Sequence, residues 1–248
     1  MNFLKLNEEY EGEDILILTL KNHKYLNALD HKMLEELQCI IHTVEKKPNV
    51  KVLIIKSEIE KAFSTGINTN FVSSLSSEEV IPFFSKLANT LNRIEKLNCI
   101  TLSVVNGYAY GAGADLAIAC DLRIGEHNTK FRFPGPQFGL ILGTNRLINE
   151  VGKSNARFIT MTNKIIDSKS AAKYGLLHSV EDDSKSLFKT VLNIAREISV
   201  LPKHSVDSIK NLTNLNEENN NDYNLTKESV SKKSFHENLL KFTKLRRI

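Results

Sequence analysis

The fold is decided by residues 98–123, which read NCITLSVVNGYAYGAGADLAIACDLR. The first eight residues are mostly apolar and rich in β-branched side chains, as in a strand buried within a parallel sheet. Asn106-Gly107 then ends the strand, and a glycine-rich loop leads into small apolar residues over 112–120, which are typical of a short packed helix. Residues 121–125 predict the next strand. The stretch therefore predicts a strand–loop–helix–strand unit of an α/β protein.

The same alternation of strands and helices precedes this unit. Residues 14–20 and 50–57 predict two further strands, and residues 30–47 predict an amphipathic helix that Asp30 caps. Short connections between such elements predict a parallel sheet covered by helices. Beyond about residue 143 helical patterns dominate, so we expect a helical C-terminal part on an α/β core.

Composition narrows the function without naming it. The 248 residues include 41% hydrophobic and 25% charged residues, which excludes collagen-like, disordered and membrane-spanning classes. The net charge is only +4, whereas nucleic-acid-binding proteins carry clustered Lys and Arg residues, so we expect no nucleic-acid partner. The N-terminal residues match neither a secretory nor a transit signal, which favours a cytoplasmic protein.

The three cysteines indicate neither zinc nor disulfides. Cys39, Cys99 and Cys120 lie in apolar segments, and none has a Cys or His at metal-ligand spacing. We therefore expect three buried, reduced thiols and no bound metal.

Two glycine-containing loops are the strongest candidates for a functional site. They are Ala62–Asn68 (AFSTGIN) and Asn106–Asp115 (NGYAYGAGAD), and each follows a predicted buried strand. The carboxyl ends of parallel strands meet at one edge of the sheet, where α/β proteins bind ligands. Glycine lets the backbone approach a ligand, and two converging N–H groups would form an oxyanion hole. Two tight turns with no ligand fit the spacing equally well.

A series of motifs runs in order along the chain. They are Tyr25–Leu29 (YLNAL), Lys61–Asn68 (KAFSTGIN), Val105–Arg123 (VNGYAYGAGADLAIACDLR), Phe131–Leu147 (FRFPGPQFGLILGTNRL), Val151–Ser154 (VGKS) and Ala171–Val180 (AAKYGLLHSV). With them the chain resembles the crotonase (enoyl-CoA hydratase/isomerase) superfamily nearly end to end. The resemblance implies an α/β fold with a ββα spiral acyl-CoA-binding core, residues 1–195, and a helical C-terminal trimerisation region, residues 196–248. It also implies homotrimers or homohexamers, acyl-CoA thioesters as partners, and no cofactor besides the coenzyme A of the substrate.

The resemblance assigns roles to single positions. The backbone N–H groups of Ile67, after Gly66, and Ala112, after Gly111, would hold the thioester oxygen. Backbone contacts to the pantetheine and adenine of coenzyme A are implied for Leu26, Ala28, Ala62 and Ser64. Lys24 would meet a phosphate of coenzyme A, although a solvated surface charge explains this lysine equally well.

The family pattern breaks at the second acidic residue. Hydratases of the family use two glutamates, and here the first position is Asp115 while the second is Gly135, which can do no acid–base chemistry. Asp115 also fits a plain helix-capping role. The candidates nearest in sequence for a replacement acid are Arg132, Gln137 and Tyr110, each more typical of a structural role.

The preferred hypothesis is an acyl-CoA enzyme of the hydratase/isomerase type, with Asp115 as the acid or base. One alternative keeps the fold but changes the reaction to decarboxylation, dehydration or thioester hydrolysis. Another is a non-catalytic acyl-CoA-binding paralogue, which a missing glutamate would also produce. We expect residues 71–92 to form the far wall of the acyl pocket.

Overall fold

The computed structural model describes residues 2–10, 14–214, 222–231 and 233–245. Its strands are β1 (Leu4–Tyr10), β2 (Ile15–Leu20), β3 (Val52–Ser57), β4 (Ala62–Ser64), β5 (Ile100–Val105), β6 (Tyr108–Tyr110), β7 (Leu122–Glu126), β8 (Lys130–Arg132), β9 (Ile166–Asp167) and β10 (Ser179–Glu181). Its α-helices are α1 (His31–Glu45), α2 (Thr69–Ser73), α3 (Ser77–Glu95), α4 (Ala112–Ile118), α5 (Thr144–Thr162), α6 (Ser168–Tyr174), α7 (Ser184–Ser199), α8 (Lys203–Thr213), α9 (Asp222–Ser231) and α10 (Lys233–Leu245).

The larger sheet confirms the predicted parallel arrangement. Its strand order is β1-β2-β3-β5-β7-β10, and all neighbours are parallel except the antiparallel pair β1 and β2. Side chains alternate between two apolar clusters, so that Ile15 and Ile17 pack with α7, whereas Leu16 and Leu18 pack with α1 and α3. Burial on both faces explains why β2, β3 and β5 are largely continuous apolar runs.

A second, smaller sheet has the order β4-β6-β8-β9. Its strands are two or three residues long, which is too short to leave a periodic signal in the sequence. Two of them lie inside the segments that we predicted to be loops: β4 begins the first loop and β6 lies within the second. The small sheet brings these two segments side by side.

Helix boundaries follow local capping chemistry. The Asp30 side chain accepts the Met33 N–H at 2.9 Å, as predicted for the cap of α1. Helix α6 is capped by Asp167, whose side chain accepts the N–H of Ser170 at 2.8 Å. Helix α5 is kinked at Gly152, which has the non-helical angles φ +75° and ψ 161°.

The C-terminal helices pack on their own chain. Helix α9 lies against α3, and α10 lies against α2 and the 3₁₀ turn Gly135–Phe138. Residues 215–221, 232 and 246–248 of the predicted C-terminal region lie outside the described ranges. The division between residues 195 and 196 stays a prediction, and so does a trimerisation role for residues 196–248.

Candidate functional site

One cavity collects the residues predicted to carry chemistry. It is lined by Ile67, Gly111, Ala112, Asp115 and Gly135, which come from segments far apart in the chain. The enclosed part of the cavity has a volume of about 50 Å³, and the cavity opens to solvent.

The two glycine-containing segments meet because β4 and β6 pair in parallel. The register places Ala62 opposite Tyr108 and Ser64 opposite Ala109. Beyond this pair Gly66 adopts φ +90°, and a Cβ atom there would overlap the Tyr110 carbonyl oxygen. Only glycine therefore lets the first segment lie this close to the second.

The two candidate amides, those of Ile67 and Ala112, belong to the two segments that meet at Gly66. The position of a Cβ on Gly66 would be 3.2 Å from the Ala112 nitrogen, and Ile67 directly follows Gly66. Leu29 exchanges hydrogen bonds with the Gly66 carbonyl and the Asn68 N–H, so the Ile67 N–H points away from residue 29. Ala112 begins α4, where a helix leaves its first N–H groups unpaired. Within the described ranges, neither amide donates to a backbone carbonyl, and both residues line the cavity.

A buried asparagine holds the first segment in place. Asn27 has φ +56° and no exposed surface, and its side chain donates to the Phe63 carbonyl at 2.9 Å and to Ser57 Oγ at 2.8 Å. The Ser64 hydroxyl donates to the Asn27 carbonyl at 2.8 Å, and the Gly66 N–H donates to Ser64 Oγ at 3.2 Å. This network fixes the backbone immediately before Ile67. The motif search pointed to its neighbours and missed Asn27 itself.

The residues expected to contact coenzyme A differ in their exposure to solvent. Ala62 and Ser64 have no exposed surface, and their contacts to coenzyme A stay a prediction. Ala28 is buried as well, whereas Leu26 is half-buried. Lys24 is exposed, and its ammonium group lies 4.9 Å from the centre of the Tyr25 ring. None of these five side chains lines the cavity.

The Lys24 ammonium stays charged at neutral pH. A hydrogen bond with the Tyr25 side chain raises the pKa of Lys24 above its ordinary value. The ammonium group lies beside Tyr25 and outside the cavity, and its contact with a phosphate stays a prediction.

Asp115 is the acidic side chain of the cavity wall. It lies in the first turn of α4 and is only 4% exposed. Its backbone N–H donates to the Gly111 carbonyl at 2.9 Å, which fixes the start of the helix. Gly113 lies so close to Ser64 that a side chain would overlap the Ser64 carbonyl oxygen, so α4 is packed directly on β4. The carboxyl group is therefore carried by a rigid, buried support.

The wall at Gly135 has no carboxylate, as the sequence indicated. Of the three replacement acids considered, only Tyr110 lines the cavity. Arg132 is turned towards the end of α5, where its Nε donates to the carbonyl and side-chain oxygens of Asn163 at 3.3 and 3.2 Å. Gln137 is exposed. Arg132 and Gln137 therefore do not replace the missing glutamate.

The placement of residues 71–92 in the far wall of the acyl pocket stays a prediction. The side chains of residues 71–92 do not line the cavity; its apolar wall consists of Phe133, Phe138, Leu140, Leu142 and Leu147. Phe138 is supported from behind by Phe235 of α10, with ring centres 6.0 Å apart. The aromatic residues of 71–92 instead pack into the core, where Phe84 contacts the same Phe235 at 5.2 Å. The apolar run FGLIL over residues 138–142 was the signal that sequence reasoning passed over.

Two of the three cysteines are buried and one is exposed. Cys99 and Cys120 are buried, and burial raises the pKa of each thiol to about 12, so both are protonated and unreactive at neutral pH. Cys39 is exposed, which corrects the expectation of three buried thiols. In the described ranges, no three His, Cys, Asp or Glu side chains group to hold a metal ion, and no helix is long and apolar enough to cross a membrane.

Comparison with known proteins was consistent in fold and family. A family model described as enoyl-CoA hydratase/isomerase matches residues 10–246. Human mitochondrial methylglutaconyl-CoA hydratase is 29% identical over 195 residues, which cover 76% of this chain and 58% of that protein. The ethylmalonyl-CoA decarboxylase of Pongo abelii is 33% identical over 184 residues, which cover 71% of this chain and 61% of that protein. The chain thus spans about three fifths of the length of these two relatives.

A solved structure extends the likeness over the whole fold. The enoyl-CoA hydratase from Bacillus halodurans matches with a TM-score of 0.85 at 19% identity, covering 97% of this chain and 100% of that one. At this identity the match establishes a shared fold.

Proposed function

The chain belongs to the enoyl-CoA hydratase/isomerase family, and from this premise we propose that it is an acyl-CoA enzyme that works through a thioester enolate. The observation that carries the proposal is the meeting of Ile67, Ala112 and Asp115 on one cavity. Two amide donors and one carboxylate are the minimum set for removing a proton next to a thioester carbonyl.

The paired amides would stabilise the charge that develops on the thioester oxygen. When a proton leaves the α-carbon, its electron pair moves into the carbonyl and the oxygen becomes negative. The N–H groups of Ile67 and Ala112 would donate to that oxygen, and each donor of this kind contributes about 3–4 kcal/mol in the transition state. The rigid contact between Gly66 and the second segment supports the role, because donors held in advance need no rearrangement during the reaction.

Asp115 would be the group that moves the proton. A carboxylate at this place can accept a proton from the α- or γ-carbon and return it to another carbon, which moves a double bond without net change of atoms. One acid–base group suffices for that isomerisation. Syn hydration of the double bond would need a second acid, and of the sequence candidates only Tyr110 lines the cavity.

Decarboxylation is the second candidate, and the wall at Gly135 favours it. Loss of CO₂ from a carboxylated acyl group leaves an electron pair on the α-carbon, which the two amides would stabilise as the enolate before a proton is added. That step needs the oxyanion hole and no second glutamate. The similarity to a decarboxylase supports the same candidate.

The expected assembly and location remain part of the proposal. We expect a homotrimer or homohexamer that needs no cofactor beyond the coenzyme A of its substrate, in the cytoplasm. Sedimentation of the purified protein would distinguish these two assemblies from a monomer.

A panel of acyl-CoA esters tests the proposal. Enoyl-CoAs of several chain lengths report hydration and isomerisation, and carboxylated acyl-CoAs report CO₂ release, each with Asp115→Asn as the matched variant. We expect turnover in one class and its loss in the variant. Stabilisation of the protein against heat by acyl-CoA without turnover on the panel would favour the non-catalytic paralogue, and full turnover in the variant would exclude Asp115 as the acid or base.

A further inference from the structure

Gly143 lies at the start of α5, beside the cavity. It has φ +66° and ψ 7°, a left-handed conformation, and it has no side chain with which to cap the helix. The Leu147 N–H donates to the Gly143 carbonyl at 3.0 Å, so the helical hydrogen bonds begin at this residue. Gly143 itself lines the cavity, as does Thr144, the first residue of α5.

The Asp115 carboxyl group occupies the space that a side chain on residue 143 would need. A Cβ atom on Gly143 would overlap Asp115 Oδ1 and lie 2.9 Å from Asp115 Cγ. Real Cβ atoms essentially never show such approaches, and the obstacle here is the reactive end of the aspartate. The start of α5 and the carboxyl group are therefore in direct contact because residue 143 is glycine.

This contact places a carboxylate at the positive end of a helix. The first N–H groups of α5 have no carbonyl partner within the helix, and the aligned peptide dipoles give that end a partial positive charge. Asp115 is only 4% exposed, so protein atoms enclose its carboxyl group on the other sides as well. The start of α5 therefore limits the positions that are open to this side chain.

We propose that Gly143 is a positioning residue for Asp115: because residue 143 has no side chain, the start of α5 contacts the carboxyl group and fixes it in the cavity wall. The catalytic part of this inference rests on the proposed function of Asp115. The structural part, a steric coupling between residues 143 and 115, does not depend on turnover.

The matched control is Gly139. It has φ +80° in the same stretch of chain, and a Cβ atom there would meet nothing within 4 Å. Gly143→Ala and Gly139→Ala therefore carry the same kind of backbone strain, but only Gly143→Ala displaces the carboxyl group. Any difference between them measures the contact with Asp115.

A double-mutant cycle in thermal unfolding tests the coupling without substrate. We expect Gly143→Ala to lower the melting temperature more than Gly139→Ala does. In an Asp115→Ala background, where the obstructing carboxyl is gone, the two glycine variants should lose equal amounts. If Gly143→Ala alone does not fold, recovery of folding in the double variant Asp115→Ala, Gly143→Ala supports the coupling, and failure to recover overturns it. Equal losses in both backgrounds also overturn it.

Kinetics on an active substrate test the positioning role. A displacement of about 1 Å costs about a hundredfold in rate, so we expect kcat to fall by that factor in Gly143→Ala with little change in KM, and to be retained in Gly139→Ala. An unchanged kcat in Gly143→Ala overturns the positioning role. If the wild-type protein turns over no substrate, the proposed function fails, while the unfolding cycle still decides the coupling.

Discussion

Restoring the missing carboxylate by Gly135→Glu should create or strongly increase hydratase activity. Gly135 lines the cavity that also contains Asp115, so a side chain at this position can supply the second acid–base group. A well-placed acid contributes about 10²–10⁴-fold to the rate. At about 1.36 kcal/mol per tenfold change, this corresponds to about 2.7–5.4 kcal/mol of transition-state stabilisation.

The structure places the expected gain near the lower limit. A Cβ atom on Gly135 would lie 3.0 Å from the Leu140 carbonyl oxygen, which is tight but needs a shift of only a few tenths of an ångström. The Leu140 N–H donates to the Gly135 carbonyl at 3.0 Å, so the same short turn must absorb the shift. Crowding of this kind costs about 1–3 kcal/mol, and we expect a gain of about a hundredfold.

The assay is the loss of enoyl-thioester absorbance on hydration of crotonyl-CoA. Gly135→Gln supplies the same volume without an acid, and Gly135→Ala measures the crowding alone. We expect hydration to rise only in Gly135→Glu. A folded Gly135→Glu protein that binds the thioester but hydrates it no faster than Gly135→Gln would refute the interpretation of this wall as the vacant acid position.

Two further predictions concern the support of the site and its pH dependence. Asn27→Ala should lower the free energy of unfolding by about 2–3 kcal/mol and reduce turnover, because the buried partners of Asn27 lose their hydrogen bonds. Asn27→Gly tolerates the left-handed backbone, so comparing the two variants in urea unfolding separates backbone strain from hydrogen-bond loss. Wild-type stability in both variants would contradict a supporting role for Asn27. Asp183 accepts the N–H groups of Lys185 and Ser186 at 2.9 and 2.7 Å, which lowers the pKa of its carboxyl group. The stabilising contribution of the Asp183 carboxylate is therefore present above pH 3.8, the ordinary pKa of an aspartate, and is lost as the pH falls through the lowered pKa. The difference in unfolding free energy between the wild type and Asp183→Asn should shrink between about pH 5 and pH 2. A difference that stays constant over this range would contradict the prediction.

The main sheet was predictable because its strands carry strong local signals. β2, β3 and β5 are apolar runs bounded by turn residues, and such runs are typical of strands that are buried on both faces of a sheet. The small sheet was not predictable, because β4 and β6 are three residues long and pair only after the chain has folded. Cys39 was wrongly expected to be buried. The helical turn directs residue 39 outward, because the inward face of α1 consists of Met33, Leu34, Leu37, Ile40, Ile41 and Val44.

The site was predicted from motif positions, and its walls were not. The ordered motifs predicted a crotonase fold, which the family model and the structural match confirm. They also pointed to Ile67, Ala112, Asp115 and Gly135, which the structure brings to one cavity. The support of Phe138 by Phe235 joins residues almost a hundred positions apart, and no local pattern encodes such a contact.

Exchange of α-protons in D₂O tests the central claim most directly. A saturated substrate analogue such as butanoyl-CoA can form the enolate but can neither add water nor lose CO₂, so deuterium at its α-carbon reports only the amide donors and the base. We predict that the wild-type protein incorporates deuterium, measured by mass spectrometry, and that Asp115→Asn does not. A bound thioester that gains no deuterium, or gains it equally in the variant, would contradict an enolate formed by Asp115 between Ile67 and Ala112.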